Sequence, residues 1–231
     1  MVKEIDRLIN EVYSKQLVIM DVRYKMLRQQ INPHFLYNTL DTVNWKAIQS
    51  GNTDIATMVT SLSKLLRSSI KGPDIITIGE DIGYVEDYIK IQKIRFEERL
   101  IFQVNVPKTL YSCRIPRLTL QTIVENSIVH NLEKYSQPCL ISISSSIVND
   151  CLELYVEDSG SGVDLQYMQL VLNKQVETNG QSVGLSNIDQ RIKISFGDMY
   201  GIRIANRKPT GTIVTIVLPC EGEYYENTVN C

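Results

Sequence analysis

Apolar residues recur every seven positions at the start of this chain: Ile5, Val12, Ile19 and Met26, with Leu8 and Val22 three places after the first and third. Such a stripe is the seam of a coiled coil, weakened here by Lys15 and Gln29 in its second column. A helix of this kind cannot bury its stripe alone, so pairing with a second copy is expected. The seam continues through Leu36, Leu40, Val43 and Ala47, so residues 1 to about 50 read as one long helix broken by Pro33. Gly51-Asn52 then makes a turn, and Asp54 is expected to cap a second helix with Ile55, Met58, Leu62, Leu65, Leu66 and Ile70 on its apolar face. So short a turn predicts an antiparallel helical hairpin, and two hairpins a four-helix bundle. Gly72-Pro73 ends it.

After the hairpin the period changes. Thr77-Ile78-Gly79-Glu80 has the pattern of a capping box and opens a helix to about Arg99. Leu100 to Val106 alternates as a strand, and Pro116 is expected to open a helix running to about Asn131. Cys139–Val148 and Cys151–Glu157 are β-rich, 164–173 and 185–196 look helical, and 201–206 and 211–218 read as closing strands. Strands and helices mixed in this way predict an α/β sandwich, with the boundary near residue 75.

Composition narrows the classes. The 231 residues carry 24 basic and 26 acidic side chains, a net charge of -2. That balance argues against a protein held to nucleic acid or anionic lipid by bulk charge. No apolar run approaches the ~20 residues that span a bilayer. The five cysteines are scattered, with no CxxC pair, and are expected to be reduced thiols in a cytoplasmic setting. Only His34 and His130 occur, which excludes a His-rich metal site.

Four stretches carry candidate chemistry. In Gln30-Ile31-Asn32-Pro33-His34-Phe35-Leu36-Tyr37-Asn38, the proline lacks an amide proton and should kink the helix. If Pro33 and Leu40 lie on the seam, His34 shares an outer strip with Asn38, Asp41 and Trp45. A neutral imidazole there can act as a nucleophile. In Ile115 to Asn131, four-residue spacing puts Thr122, Asn126 and His130 on one helix face, and a carboxamide oxygen beside the Glu125 carboxylate suits Mg²⁺. Val156-Glu157-Asp158-Ser159-Gly160-Ser161-Gly162 places an acid after a β-rich run, then glycines that let backbone approach a ligand. Asn179-Gly180-Gln181-Ser182-Val183-Gly184-Leu185-Ser186 leads into a helix N-terminus, a site for phosphate, and the polar stretch from about Asn173 to Ser182 reads as a mobile lid. Singly, each has an ordinary alternative: a surface histidine, a polar helix face, a β-turn, a loop. All four in this order do not.

Together the segments resemble the LytS/YesM-like sensor histidine kinases over nearly the whole chain. Q-I-N-P-H-F-L-Y-N-T-L is similar to that family's phosphoacceptor motif, and Y-I-K-I-Q-K-I-R-F-E-E-R-L (88–100) to its second signature. I-P-x-L-x-L-Q-x-I-V-E-N-S-I-x-H, D-S-G-S-G and G-L-S-N-I-D-Q-R-I resemble the N, G1 and G2 boxes of its ATPase domain, and Gly211-Thr212 with the apolar strand to Pro219 resembles the closing strand.

The resemblance implies an α+β chain: a dimeric helical hairpin, a four-helix bundle as the dimer, followed by a GHKL (Bergerat) α/β sandwich. It implies a signalling coiled coil at 1–28, a dimerisation and phosphoacceptor hairpin at 29–74, a catalytic ATP-binding domain at 75–220 and a polar tail at 221–231, expected to be disordered. His34, with Asn38 beside it, would accept the γ-phosphoryl group of ATP. Asn126 would coordinate Mg²⁺ with support from Glu125. Asp158 would read the adenine amine, and Gly160 and Gly162 would admit the base. His130, Gly180, Gly184, Leu185, Ser186 and Thr212 would complete the ATP site. The expected partners are a second copy and a response regulator that receives the phosphoryl group on an aspartate. The expected place is the cytoplasmic side of a membrane, reached through an upstream segment that this sequence does not include. Three positions depart from the family pattern: Val129 stands where lysine is frequent, Asn131 where glycine is frequent, and Phe35, as is usual in this family, where most other histidine kinases carry an acid. Two rivals remain, an ATP-binding scaffold without turnover and an ATP hydrolase. Hydrolytic relatives place a glutamate where this chain has Thr122.

Overall fold

The computed structural model describes residues 33–70, 72–172 and 182–220. The coiled coil at 1–28, the kink before Pro33, most of the lid and the tail from 221 therefore lie outside the described residues. Helix α1 (Pro33–Gln49) and helix α2 (Thr53–Ile70) form the expected hairpin. Gly51, at φ +71°, closes α1: its amide donates to Ile48 at 3.0 Å and that of Asn52 to Ala47 at 2.9 Å. These two bonds satisfy carbonyls that the helix end leaves open. Asn52, rather than Asp54, caps α2, because its Oδ1 lies 3.1 Å from the amide of Ile55. Asp54 sits inside the first turn, where its charge still favours the helix dipole.

The apolar face expected of α2 is split. Val59, Ser61, Ser63, Leu65 and Ser68 are buried, while Ile55 and Leu62 are exposed. The cause is packing on two sides: α2 lies against α1 on one flank and against helix α3 (Ile78–Phe96) on the other. Serines bring the backbones close there, and an apolar strip that includes Ile55 and Leu62 is left facing outward.

Strand β1 (Ile75–Thr77) pairs antiparallel with β3 (Arg114–Pro116), a two-stranded ribbon that the sequence pattern does not reveal. Helix α3 starts as expected: Thr77 accepts from the Glu80 amide at 3.2 Å, and its own amide donates to Glu80 at 2.8 Å. A 3₁₀ turn, Glu97–Arg99, leads into β2 (Leu100–Asn105). The main sheet also contains β4 (Cys139–Val148), β5 (Cys151–Asp158), β6 (Gly201–Asn206) and β7 (Thr212–Pro219), in the order β2-β4-β5-β7-β6. Only β2 and β4 run parallel. Burial alternates strictly along β5 and β7. Leu152, Leu154, Val156, Val214, Ile216 and Leu218 thus face a core shared with Ile82, Val85 and Ile89 of α3, with Leu120, Ile123 and Ile128 of helix α4 (Thr119–Asn131), and with Ile188 and Ile192 of helix α6 (Ser182–Phe196). Helix α5 (Leu165–Leu172) packs against α6 and β6. The other sheet face is mixed, Ile213 and Val217 standing beside the pairs of Arg203 with Glu153 and Arg207 with Glu157. Cys113, Cys139, Cys151 and Cys220 are free thiols.

Helix α4 begins at Thr119, three residues later than the sequence pattern suggests, because Pro116 is taken up by β3. Leu118 precedes it at φ +63° and offers no side-chain cap. The cap comes from another helix. Asp81 of α3, fully buried, accepts from the amides of Leu118 and Leu120, each at 2.8 Å. Burial pushes its carboxyl up to about 7, against those two bonds. Asp81→Asn must turn an amide NH₂ toward one of the donors, so we expect a loss of about 2 kcal/mol in urea unfolding. The folded protein binds this proton more readily than the unfolded chain does. Lowering the pH from 8 to 5 should therefore favour wild type over Asp81→Asn, by at most about 1.4 kcal/mol per pH unit. Parallel stability profiles for the two proteins would rule this out.

Candidate functional site

A cavity of about 270 Å³ opens between α4, α5, the start of α6 and the ends of β5, β6 and β7. Successive turns of α4 supply Asn126 and His130 to its wall, with Ser127 and Asn131 beside them, and Lys134 follows just past the helix end. Asp158, the last residue of β5, forms part of the lining and is 5% exposed. Its Oδ1 accepts from the amides of Gly160 at 2.9 Å and Thr212 at 3.3 Å, and its Oδ2 from the Ser127 hydroxyl at 3.2 Å. An ionised carboxylate has about four acceptor positions, so three donors fix Asp158 and leave one for a ligand amine.

The glycines beside Asp158 serve the protein's own packing. A Cβ on Gly160 would lie 1.7 Å from Asn131 Oδ1, and Asn131 is held by its own bond to the Ser127 carbonyl at 2.8 Å. Gly162, at φ +80°, is crowded by Asn206, whose amide bonds both the N–H and the carbonyl of Val163 at 2.9 Å. Gly211, at φ +116°, lets β7 begin against the backbone of Asp158, where a Cβ would lie 2.0 Å from the carbonyl oxygen. These close approaches hold the 159–164 loop at the cavity edge. Gly160→Ala should lower the melting temperature by several degrees, the shift about 1–3 kcal/mol of overpacking produces. Adding Asn131→Ala removes the clashing atoms and should restore much of the loss. Additive losses in this double-mutant cycle would show that Asn131 is not the obstacle.

His130 and Lys134 form a pair, with Nζ 3.0 Å from Nδ1. Burial and then the Lys134 charge hold the imidazole below its usual pKa, so neutral Nδ1 accepts from the ammonium. Lys134 places positive charge on a wall that also carries Asp158 and Asp164. Gly184 lies against α4: its Cβ position is 3.2 Å from Thr122 Cγ2 and 3.9 Å from Asn126 Nδ2. Leu185 and Ser186 are buried, Leu185 on the cavity wall. Gly180 lies outside the described residues. Thr212 contributes its amide to Asp158, as above. Glu125 is not on the wall. It is exposed one position round the helix, where partial burial and then Glu133 raise its carboxyl above the usual range. Among the described residues no cluster of three His, Cys, Asp or Glu side chains could hold a metal by itself. A carboxamide on the cavity wall, that of Asn126, does fit Mg²⁺, which prefers oxygen ligands and keeps several from outside the protein.

His34 stands apart from this cavity, in the first turn of α1. It is exposed, as are Asn38, Asp41 and Trp45, and the Asn38 amide nitrogen lies 3.3 Å from Nδ1 and 3.4 Å from Nε2.

Comparison with known proteins finds matches over both the hairpin and the α/β part. Residues 22–100 match the family described as histidine kinase, and residues 114–222 the family described as histidine kinase-, DNA gyrase B- and HSP90-like ATPase. The sensor histidine kinase YesM of Bacillus subtilis is 42% identical over 96% of this chain, and the sensor histidine kinase BtsS of Escherichia coli 32% identical over 86%. The chain belongs to the histidine kinase family. It spans 38% of the YesM relative's length and 34% of the BtsS relative's. The catalytic domain of histidine kinase ThkA in a nucleotide-free form superposes on 63% of the chain, and on 95% of its own, with a TM-score of 0.50 at 18% identity, a likeness of fold. Among the described residues no helix is long and apolar enough to cross a membrane.

Ser127, Asn131 and Lys134 are among the wall residues to which the motif reading gives no role. Ser127 and Asn131 follow the motif asparagine at one and five positions, on the strip next to the expected one. Their spacing of four was the available signal. Lys134 continues the Asn126–His130 series by one more turn, beyond the last residue of α4.

Proposed function

We propose that this chain is the catalytic portion of a sensor histidine kinase, which uses Mg-ATP to phosphorylate His34 and passes the group to an aspartate of a response regulator. One observation carries the reading. A cavity built around an anchored, buried carboxylate with an acceptor position to spare lies in the same chain as an exposed histidine on an adjoining helical hairpin.

In this reading Asp158 binds the adenine amine, and the wall residues His130 and Lys134 face the more polar end of the nucleotide. Gly184, Leu185 and Ser186 bring the N-terminal part of α6 to the phosphates. Asn126 would hold Mg²⁺, which when bound would supply neutralisation of charge on the phosphate oxygens. A ring nitrogen of His34 attacks the γ-phosphorus, an N–P bond forms, and the bond to the β,γ-bridging oxygen breaks as ADP leaves. The proton on the other ring nitrogen passes to water, to which exposed His34 has access. The response-regulator carboxylate then displaces the histidine nitrogen. The outward apolar residues Ile55 and Leu62, with Val43 of α1, suit pairing with a second hairpin. The 1–28, 29–74, 75–220 and 221–231 divisions, and a place on the cytoplasmic side of a membrane, belong to the same proposal.

Hydrolysis is less well supported, because Thr122 donates its hydroxyl to the Leu118 carbonyl at 2.7 Å and offers no base for water. The test is incubation of the chain with Mg²⁺ and γ-labelled ATP. Protein-bound label that is acid-labile and base-stable is expected. Bound nucleotide with no protein label would support a scaffold, and steady phosphate release without label a hydrolase.

A further inference from the structure

Arg117 joins four elements at one point. It lies between β3 and α4 and is 8% exposed, an unusual place for a guanidinium unless it is bonded. Its Nη1 donates to the carbonyl of Ser68 at 2.6 Å. That carbonyl belongs to the last turn of α2, where the helix supplies no partner of its own. Gly72 leaves room for the contact, since a Cβ there would come within 3.2 Å of Nη1. The Arg117 amide donates to the Asp74 carbonyl at 2.8 Å, and its own carbonyl accepts from Arg191 of α6 at 3.0 Å. The next residue, Leu118, is bonded to Asp81 of α3. One side chain thus reaches the hairpin, while its backbone leads into α4 and is bonded to α6, two of the three helices that wall the cavity.

The end of the hairpin that it grips is the His34 end. Arg67, the neighbour of Ser68, stacks over Tyr37 at 5.0 Å, one turn beyond His34. Yet His34 is exposed, and no residue of α1 or α2 lines the cavity. In this arrangement the acceptor and the cavity are not brought together.

We propose that Arg117 is a positioning latch: it seats the ATP-binding part on the last turn of α2 in a resting arrangement, and autophosphorylation requires that the seat be released. The inference rests on the kinase reading of the same site. Breaking the Ser68 bond shifts the balance toward released molecules without touching the nucleotide.

The test uses the whole chain as wild type, Arg117→Lys and Arg117→Met. The readouts are the rate of His34 labelling at saturating Mg-ATP, ADP affinity by calorimetry, and hydrogen exchange in the last turn of α2. Arg117→Met should label about fivefold faster, the equilibrium factor of one net hydrogen bond, with ADP affinity within about twofold of wild type and faster exchange at 66–70. Arg117→Lys keeps one donor and should fall between. If Arg117→Met does not fold, the lysine variant carries the comparison. A labelling rate that stays the same or falls while ADP binding is intact would overturn the latch. If no protein labels, the kinase reading fails, and exchange alone decides the latch: unchanged protection at 66–70 overturns it.

Discussion

Replacing His34 by glutamine is expected to abolish acid-labile labelling of the chain by γ-labelled ATP while leaving ATP affinity unchanged. The two effects separate because His34 lies on the hairpin and no hairpin residue lines the cavity. Glutamine is at least as good a helix former as histidine, so α1 should persist, and no packing is lost at an exposed position. A carboxamide nitrogen has its lone pair delocalised and cannot take a phosphoryl group, so the loss should be complete, limited only by detection. Far-ultraviolet circular dichroism and ADP calorimetry supply the controls. Label persisting at the wild-type level would remove His34 as the acceptor and leave His130 as the remaining histidine.

The second large effect is expected at Asp158. Asp158→Asn keeps one oxygen for the amides of Gly160 and Thr212, and the Ser127 hydroxyl can reverse its role and donate or accept as needed. The fold should therefore hold. What is lost is the charged acceptor, and the new NH₂ opposes an incoming amine donor. A charge-assisted bond contributes about 1.5–3 kcal/mol, and an unpaired donor at a closed site adds to the cost, so ATP should bind about a hundredfold more weakly. Guanine offers a carbonyl where adenine offers its amine, so GTP should bind wild type poorly and lose far less on the substitution. Equal losses for both nucleotides would place Asp158 away from the base.

The regular elements were legible because their periods are. The alternation in Cys151–Glu157 appears as β5 with every second side chain buried, and the Thr77–Glu80 box appears as the start of α3. Three-residue strands such as β1 and β3 contain too few positions to show a period, so the start of α4 was read early. Asp54 competed with Asn52 for the α2 cap, and backbone reach from Asn52 to Ile55 decided it. The face of α2 is split because α2 has two neighbours, where sequence periodicity assumes one. At the candidate site, the motif residues Asn126, His130, Asp158 and Leu185 share one cavity wall, and His34 stays outside it. The roles of Asp81 and Arg117 were not legible. Each bonds a group at least 37 positions away in the chain, a relation that no local pattern encodes.

That separation has a consequence for how the molecule is made. Helix α4 has no starting signal of its own, and an uncapped first turn is the costly step of helix growth. Its missing acceptor is carried upstream on α3, whose own start is encoded locally by Thr77 and Glu80. On the ribosome the amino-terminal residues emerge first. Asp81 is thus already present when the amides of Leu118 and Leu120 appear, and the helix that carries Asn126 and His130 is begun on a template synthesised before it.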